Sequence, residues 1–432
     1  MKSQVIRFIH VSILIICLCS AVFGVSTVAQ SASQKQAVII DTDAGWDDYL
    51  GIIYALTNPR FHVVGIVISC TGEVDCIQPL GKYGRRYAAG AQHILQLLDL
   101  TKPSQDVPVA IGVTKKQSVF VNPFPAFLRA AADNFNGIAM PSSDRRIATL
   151  NATQLMHRLI ERYPGLIILE LAPLTNLADL QAKYPEDFKH IAKIFMSGGS
   201  LGAGEGCEIG DMQTCRPNGN VNIPVKHHGG YSSPSKWAEW NVFADITSAA
   251  SILNRKRNNA YQPKIIMIPL ELLNQFPDGA KMRFIDLVHY FQTTQQNAVA
   301  DFVVVDLEQL VPKDKKKIAM ATDTLKLWDG TASVAALDKN SYRTIKYYPI
   351  QVQTNPNNLV TLGWTKIVPS LRVKQQSTAV VTHLTNFYKL FWQQGINRKA
   401  NTITVQIENH TQKEAIYLAV NDPKNQNILE FG

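Results

Sequence analysis

The chain has 432 residues, 46% of them apolar and 18% charged, a globular balance with ample material for a core. Wholesale disorder, a collagen-like repeat and a coiled coil are excluded, and the length suits one large α/β domain with insertions as well as several smaller ones. The net charge is +9, but the basic residues are dispersed, with runs of three only at Arg255-Lys256-Arg257 and Lys315-Lys316-Lys317. Nucleic-acid binding needs a more focused stripe, so these runs read as solvated loops and no nucleic-acid partner is expected.

Residues 1–30 read as a signal peptide. Lys2 and Arg7 form a positive start, Val11 to Val22 an apolar core and Thr27-Val28-Ala29 a small-residue cleavage site. The apolar run is short and poorly flanked for a transmembrane span. The expectation is an exported protein, periplasmic or secreted, with no membrane attachment after cleavage. Of the later cysteines, Cys70 and Cys76 form one close pair and Cys207 and Cys215 another. In an oxidising compartment, local disulfides within each pair are the simplest arrangement. Zinc is the alternative, but Cys-x5-Cys and Cys-x7-Cys lack its usual spacing.

Short β-branched runs then recur at Ala37–Asp41, Phe61–Ile68, Val107–Ile111, Leu166–Leu171, Ile191–Met196 and Lys264–Ile268. Helical periodicity follows several of them. Tyr49, Ile52, Ile53 and Leu56 keep i, i+3, i+4, i+7 spacing, and Asn58-Pro59 ends that helix. Alternating strands and helices predict an α/β fold, a mainly parallel open sheet with helices on both faces and a Rossmann-like core. Ligands of such sheets sit beyond the carboxyl ends of the strands. Residues 200–237, rich in Gly, Pro, Ser and His, interrupt the rhythm as a long surface insertion, and 305–325 form a lysine-rich loop. The domain is expected over 31–398. After a helix around Phe387–Trp392, the alternation from Thr402 to Val420 predicts a β-hairpin appendage within 399–432.

The strongest signal is Asp41-Thr42-Asp43-Ala44-Gly45-Trp46-Asp47-Asp48, where the first strand ends and a helix begins. Carboxylates this close repel one another, and their concentration is explained by a hard cation. Calcium takes several oxygen ligands, and this cluster supplies a large share of a shell. The helix macrodipole accounts for Asp47 and Asp48 at a helix start, but it does not require Asp41 and Asp43. A phosphatase-type Asp-x-Asp loop with an aspartyl nucleophile is a further reading. Gly45 and the doubled Asp47-Asp48 are foreign to that loop.

This stretch resembles the Asp-x-Asp-x-Gly-x-Asp-Asp fingerprint of the inosine–uridine-preferring nucleoside hydrolases. Further blocks follow in that family's order. Leu171-Ala172-Pro173-Leu174-Thr175-Asn176-Leu177-Ala178 resembles its Gly-Pro-Leu-Thr-Asn block, with Ala172 in place of Gly, and Met196-Ser197-Gly198-Gly199 its Met-Gly-Gly turn. Gly219-Asn220 and Ala238-Glu239-Trp240-Asn241-Val242-Phe243-Ala244-Asp245 resemble its Gly-Asn and Ala-Glu-Phe-Asn segments. Leu327-Trp328-Asp329-Gly330 falls where it places a last metal aspartate. The likeness covers about residues 37–395.

The resemblance implies a calcium ion held by Asp43, Asp48 and Asp329 and by the Leu171 carbonyl, with Asp43 also the general base toward a water. It implies that Asp47, Asn220, Glu239 and Asn241 contact ribose, with Met196 beside them. Glu73 or Asp75 stands in the loop where the family places another ribose-contacting residue. By themselves, Asn176 reads as a cap or turn residue, Met196 as core, and Glu239 and Asn241 as surface positions; only their order behind the acidic cluster raises them. Pyrimidine-accepting members carry a histidine before the last metal aspartate, where this chain has Trp328. That tryptophan resembles the purine-specific branch, in which aromatic rings sandwich the base. Val121-Asn122-Pro123-Phe124-Pro125-Ala126-Phe127-Leu128-Arg129 resembles a stretch of the same branch, which makes Phe127 the expected second ring. The substrate expected from this resemblance is a purine nucleoside, and the assembly a dimer or tetramer. A non-catalytic nucleoside- or sugar-binding protein that retains the metal loop is the competing class, and a nonspecific nucleoside hydrolase the alternative within the family.

Overall fold

Apolar runs of a few β-branched residues, buried on both faces, become the central strands of one sheet. In chain order the elements are β1 (Gln36–Thr42), α1 (Asp48–Thr57), β2 (Phe61–Ile68), α2 (Ala89–Thr101), β3 (Val109–Ile111), β4 (Ile138–Ala139), α3 (Ala152–Arg162), β5 (Leu166–Glu170), α4 (Thr175–Lys183) and β6 (Ile191–Ser197). They continue with α5 (Trp240–Ala244), α6 (Ile246–Leu253), β7 (Lys264–Ile268), α7 (Trp328–Leu337), β8 (Tyr342–Val352), β9 (Thr365–Ile367), β10 (Ser377–Leu384) and β11 (Gln406–Ile407). In this computed structural model the described residues are 35–45, 47–69, 89–112, 135, 138–201, 237–254, 263–274, 298–299, 301–303, 328–337, 342–358, 361–368, 377–384 and 406–407. The signal-peptide pattern, Cys70, Cys76, Cys207, Cys215, Glu73, Asp75, Phe127, Asn220, the 305–325 loop and the helix expected at Phe387–Trp392 lie outside them.

Nine strands form the main sheet in the order β3-β2-β1-β5-β6-β7-β10-β8-β9. The pairs β2–β3, β1–β5, β5–β6, β6–β7 and β7–β10 are parallel, while β8 runs antiparallel to both β10 and β9. The mainly parallel sheet expected from the sequence is therefore present. The antiparallel edge was not expected, because its strands mix lysine, tyrosine and proline and lack a continuous apolar run. Strand side chains alternate between two apolar clusters. Val38 and Ile40 pack with Ile52, Ile53 and Val334 from α1 and α7, whereas Ile39 packs with Leu159, Leu177 and Ile252 from α3, α4 and α6. Helices thus cover both faces. Each fully buried side chain of this kind contributes about 1.5–3 kcal/mol. Of the segment expected to be a terminal hairpin, the described part, β11, pairs antiparallel with β4. No helix among the described residues is long and apolar enough to cross a membrane.

Two local features set the position of the site. First, strand order reverses between β1 and β5: the chain steps outward through β2 and β3 on one side and through β6 and β7 on the other. A crevice opens at such a switch point, beyond the carboxyl ends of the strands. Second, α1 lies against α7 with almost no clearance at Gly51, where a Cβ would come 2.6 Å from Ser333 Oγ and 2.9 Å from the Asp329 carbonyl oxygen. Gly51→Ala is expected to lower the unfolding free energy by about 1–3 kcal/mol through overpacking, despite alanine's better helix propensity. Denaturant unfolding of the two proteins checks this.

Candidate active site

The carboxyl end of β1 is tied to both neighbours, with Ser69 N–H donating to the Thr42 carbonyl at 2.9 Å and Leu171 N–H to the Asp41 carbonyl at 2.8 Å. Beyond it the chain makes a tight turn. Ala44 N–H donates to Thr42 Oγ1 at 3.0 Å and Gly45 N–H to Asp43 Oδ1 at 3.2 Å. Ala44 itself has φ +56°, a left-handed conformation that costs an L-residue roughly 1–2 kcal/mol. Asp47 then occupies the cap position of α1 without a capping hydrogen bond from its side chain, and Asp48 opens the helix. The Thr42 hydroxyl donates to Asp48 Oδ1.

Helix α7 delivers Asp329 to the same place. Asp47, Asp48 and Asp329 each offer a carboxylate oxygen within 4.8 Å of the others, and all three are buried. Asp48 Oδ2 and Asp329 Oδ1 are buried with no hydrogen-bond partner, a costly state for a carboxylate. Oxygen-only donors that are buried, mutually repelling and partly unpartnered fit a hard divalent cation. Burial pushes Asp47 up to about 7, with the Asp43 charge adding to it. Asp48 and Asp329 are held well above the usual carboxylate range by burial and then by neighbouring aspartate charges. Behind them, burial raises Asp41 to about 8, against hydrogen bonds from Asn176 and Ser69. Glu170 is also raised, by burial and by Asp41.

The opposite wall is formed by β6 and the start of α5. Glu239 caps α5: Oε1 accepts Asn241 N–H at 2.9 Å, and Oε2 accepts Gly199 N–H at 3.0 Å and Val242 N–H at 3.2 Å. A Cβ on Gly198, whose φ is +147°, would come 2.8 Å from Glu239 Oε2, so the glycine is required by both conformation and space. The Asn241 side-chain amide donates to the carbonyls of Leu171 at 3.1 Å and Ser197 at 3.3 Å.

A sequence profile described as inosine-uridine preferring nucleoside hydrolase matches residues 38–393, across the whole of this arrangement. The chain belongs to that family. Among solved structures it is similar to a plant nucleoside hydrolase, PpNRh1 (TM-score 0.62, 19% identity, 84% of this chain and 99% of that one), and to the purine-preferring ribonucleoside hydrolase of Gardnerella vaginalis (TM-score 0.58, 22% identity, 82% and 96%). Among curated sequences it is similar to an uncharacterized protein of Schizosaccharomyces pombe, 27% identical over 56% of this chain and 64% of that one. The pyrimidine-specific ribonucleoside hydrolase of Salmonella arizonae is 29% identical over 39% and 49%. The chain thus spans 64% and 49% of the length of these two curated relatives.

Within this nucleoside hydrolase fold, the expected site residues fall into place unevenly. Asp48 and Asp329, both expected as metal ligands, lie close together, and the third carboxylate gathered with them is Asp47, which the resemblance assigned to ribose. Asp43 lies near enough for its charge to act on Asp47, Asp48, Asp329 and Glu239. The Leu171 carbonyl is at the crevice, where it receives Asn241. Met196 is wholly buried beneath Gly198, Asn176 serves Asp41 at 2.9 Å, and half-buried Trp328 begins α7 beside Asp329. Thr42, Ser197 and Glu170 were not anticipated. Glu170 had one signal, an acid at a strand's carboxyl end; Thr42 and Ser197 had none beyond their places inside the motif blocks.

Acids whose folded-state pKa is raised stabilise the fold fully below their unfolded value of about 4, and that contribution is lost as pH rises through the folded value. For Asp47 and Asp41 the loss runs up through about 7 and about 8. The cation-free protein is expected to melt at progressively lower temperature as this range is crossed. Excess divalent cation above about pH 8 should restore the loss, because an ion held by the ionised cluster would favour the folded state alone. Thermal melts in EDTA and in calcium across the range check both.

Proposed function

We propose that this chain is an exported, calcium-dependent purine nucleoside hydrolase that cleaves the N-glycosidic bond of ribonucleosides to free base and ribose. The observation that carries the reading is the convergence of Asp47, Asp48 and Asp329, with buried unpartnered oxygens, at the switch point of a nucleoside hydrolase fold. Export is supported by the leader pattern of residues 1–30, and purine preference by Trp328 standing where pyrimidine-accepting members carry histidine. The relatives include both pyrimidine-specific and purine-preferring enzymes, so the specificity rests on Trp328 and on the likeness of residues 121–129 to the purine-specific branch.

Asp48, Asp329 and the Leu171 carbonyl, with Asp43 or Asp47, would hold the ion. The chemistry a bound calcium supplies is neutralisation of this charge and acidification of water. Asp43 takes the proton of a water as its oxygen bonds to C1′ of the ribose, and the electron pair of the C1′–N bond leaves with the base. Glu239 and Asn241 line the crevice at the sugar, together with Asp47. The negative charge of Glu239 and Asp47 favours the cationic character that the sugar gains as the bond breaks. Trp328 stacks on the departing purine and eases its protonation by solvent.

Ribose release from inosine, guanosine, adenosine, uridine and cytidine, with and without EDTA, tests the proposal. Purine nucleosides alone should be cleaved, EDTA should abolish cleavage, and Asp43→Ala should lower kcat by about 10²–10⁴-fold. Equal cleavage of uridine would refute the purine preference. Absence of cleavage by a calcium-loaded protein would replace the hydrolase with a binding protein.

A further inference from the structure

Beneath the acidic turn lies a set of polar side chains that the reaction described above does not use. The carbonyl of Ala44, the residue at φ +56°, accepts the Tyr49 hydroxyl at 3.0 Å. The same hydroxyl is 2.8 Å from Nδ1 of His93 on α2. A carbonyl only accepts and a phenol has one proton, so Tyr49 donates to Ala44 and His93 donates from Nδ1 to the phenol oxygen. Burial pushes His93 down to about 3, which keeps the ring neutral, and the hydrogen bond to Tyr49 sets its tautomer. The His93 ring is stacked on Phe135 with centroids 4.1 Å apart and planes 10° apart, and Tyr49 meets Phe135 edge-on at 4.7 Å.

We propose that Tyr49 and His93 are positioning residues of the cation site, a two-step relay that locks the Asp43-Ala44-Gly45 turn in its left-handed conformation. Tyr49 directly follows Asp48 on α1, and the carbonyl it holds belongs to the residue after Asp43. One side chain therefore ties the turn to the helix start and sets how Asp43 and Asp48 face Asp329. Buried hydrogen bonds of this kind fix geometry because there is no water to replace them. Without the relay, Ala44 relaxes toward a negative φ and the Asp43 carboxylate turns with it. This inference rests on the reading of Asp48 and Asp329 as cation ligands.

Calorimetric titration of calcium into the full chain, stripped of metal, tests it. Tyr49→Phe, which removes only the hydroxyl, should weaken calcium binding about 5–10-fold. His93→Phe keeps the stack on Phe135 but loses the donor, and should weaken binding similarly. His93→Asn, which returns an N–H near the Nδ1 position, should recover most of the affinity. The Tyr49→Phe/His93→Phe double variant should bind within about twofold of Tyr49→Phe alone, because both act through one chain of bonds. Variants that melt at lower temperature yet bind calcium like the wild type would overturn the relay and leave a structural role. Should Tyr49→Phe fail to fold, the contrast between His93→Phe and His93→Asn decides. A wild-type chain that binds no calcium would overturn the cation reading itself, and the relay with it.

Discussion

Carboxylates brought together in a buried crevice repel one another and lose their hydration, and the rest of this structure is arranged around that cost. Asp41, Asp48, Glu170 and Asp329 are all buried, and among the described residues no lysine or arginine pairs with any of them. Protons or a cation must therefore balance the charge. Protons suffice at low pH, as the raised pKa values imply. Near neutrality a divalent cation does the same while leaving carboxylate oxygens ionised for chemistry. The cost of assembling the site is thus converted into affinity for the ion.

The fold places these charges without using any charged partner. Reversal of strand order between β1 and β5 opens a crevice beyond the carboxyl ends of these strands. Helix α1 starts there, and the dipole at that end favours anions. Close approach of α1 to α7 at Gly51 then carries Asp329 in from a distant part of the chain. The second wall works by capping. Glu239 spends its carboxylate on the backbone of α5 and of the Gly198-Gly199 turn, so a residue that faces sugar in the proposed reaction also holds two segments together.

Positioning residues form a layer under the ligating ones. Thr42 fixes Asp48, Asn176 and Ser69 fix Asp41, and Tyr49 with His93 holds the Ala44 carbonyl. All are neutral. A neutral donor orients a carboxylate without cancelling the charge that a cation needs, which a lysine at the same place would do.

Read by itself, the sequence determined the strand runs, the period of α1 and its end at Asn58-Pro59, and the acidic string at the end of β1. These are local properties: side-chain period and backbone restriction act over a few residues and leave a visible pattern. The ordered motif blocks extended that reading to Asp329, Glu239 and Asn241 through resemblance. Only the tertiary structure decided which carboxylates meet, bringing Asp47 rather than Asp43 alone to Asp48 and Asp329. It alone paired Tyr49 with His93 across 44 residues, buried Glu170 beside Asp41, and added an antiparallel edge from strands without an apolar run. Contacts of that kind depend on how elements pack, and packing is set by the shape of all the surrounding side chains together, so no short stretch of sequence carries their signature.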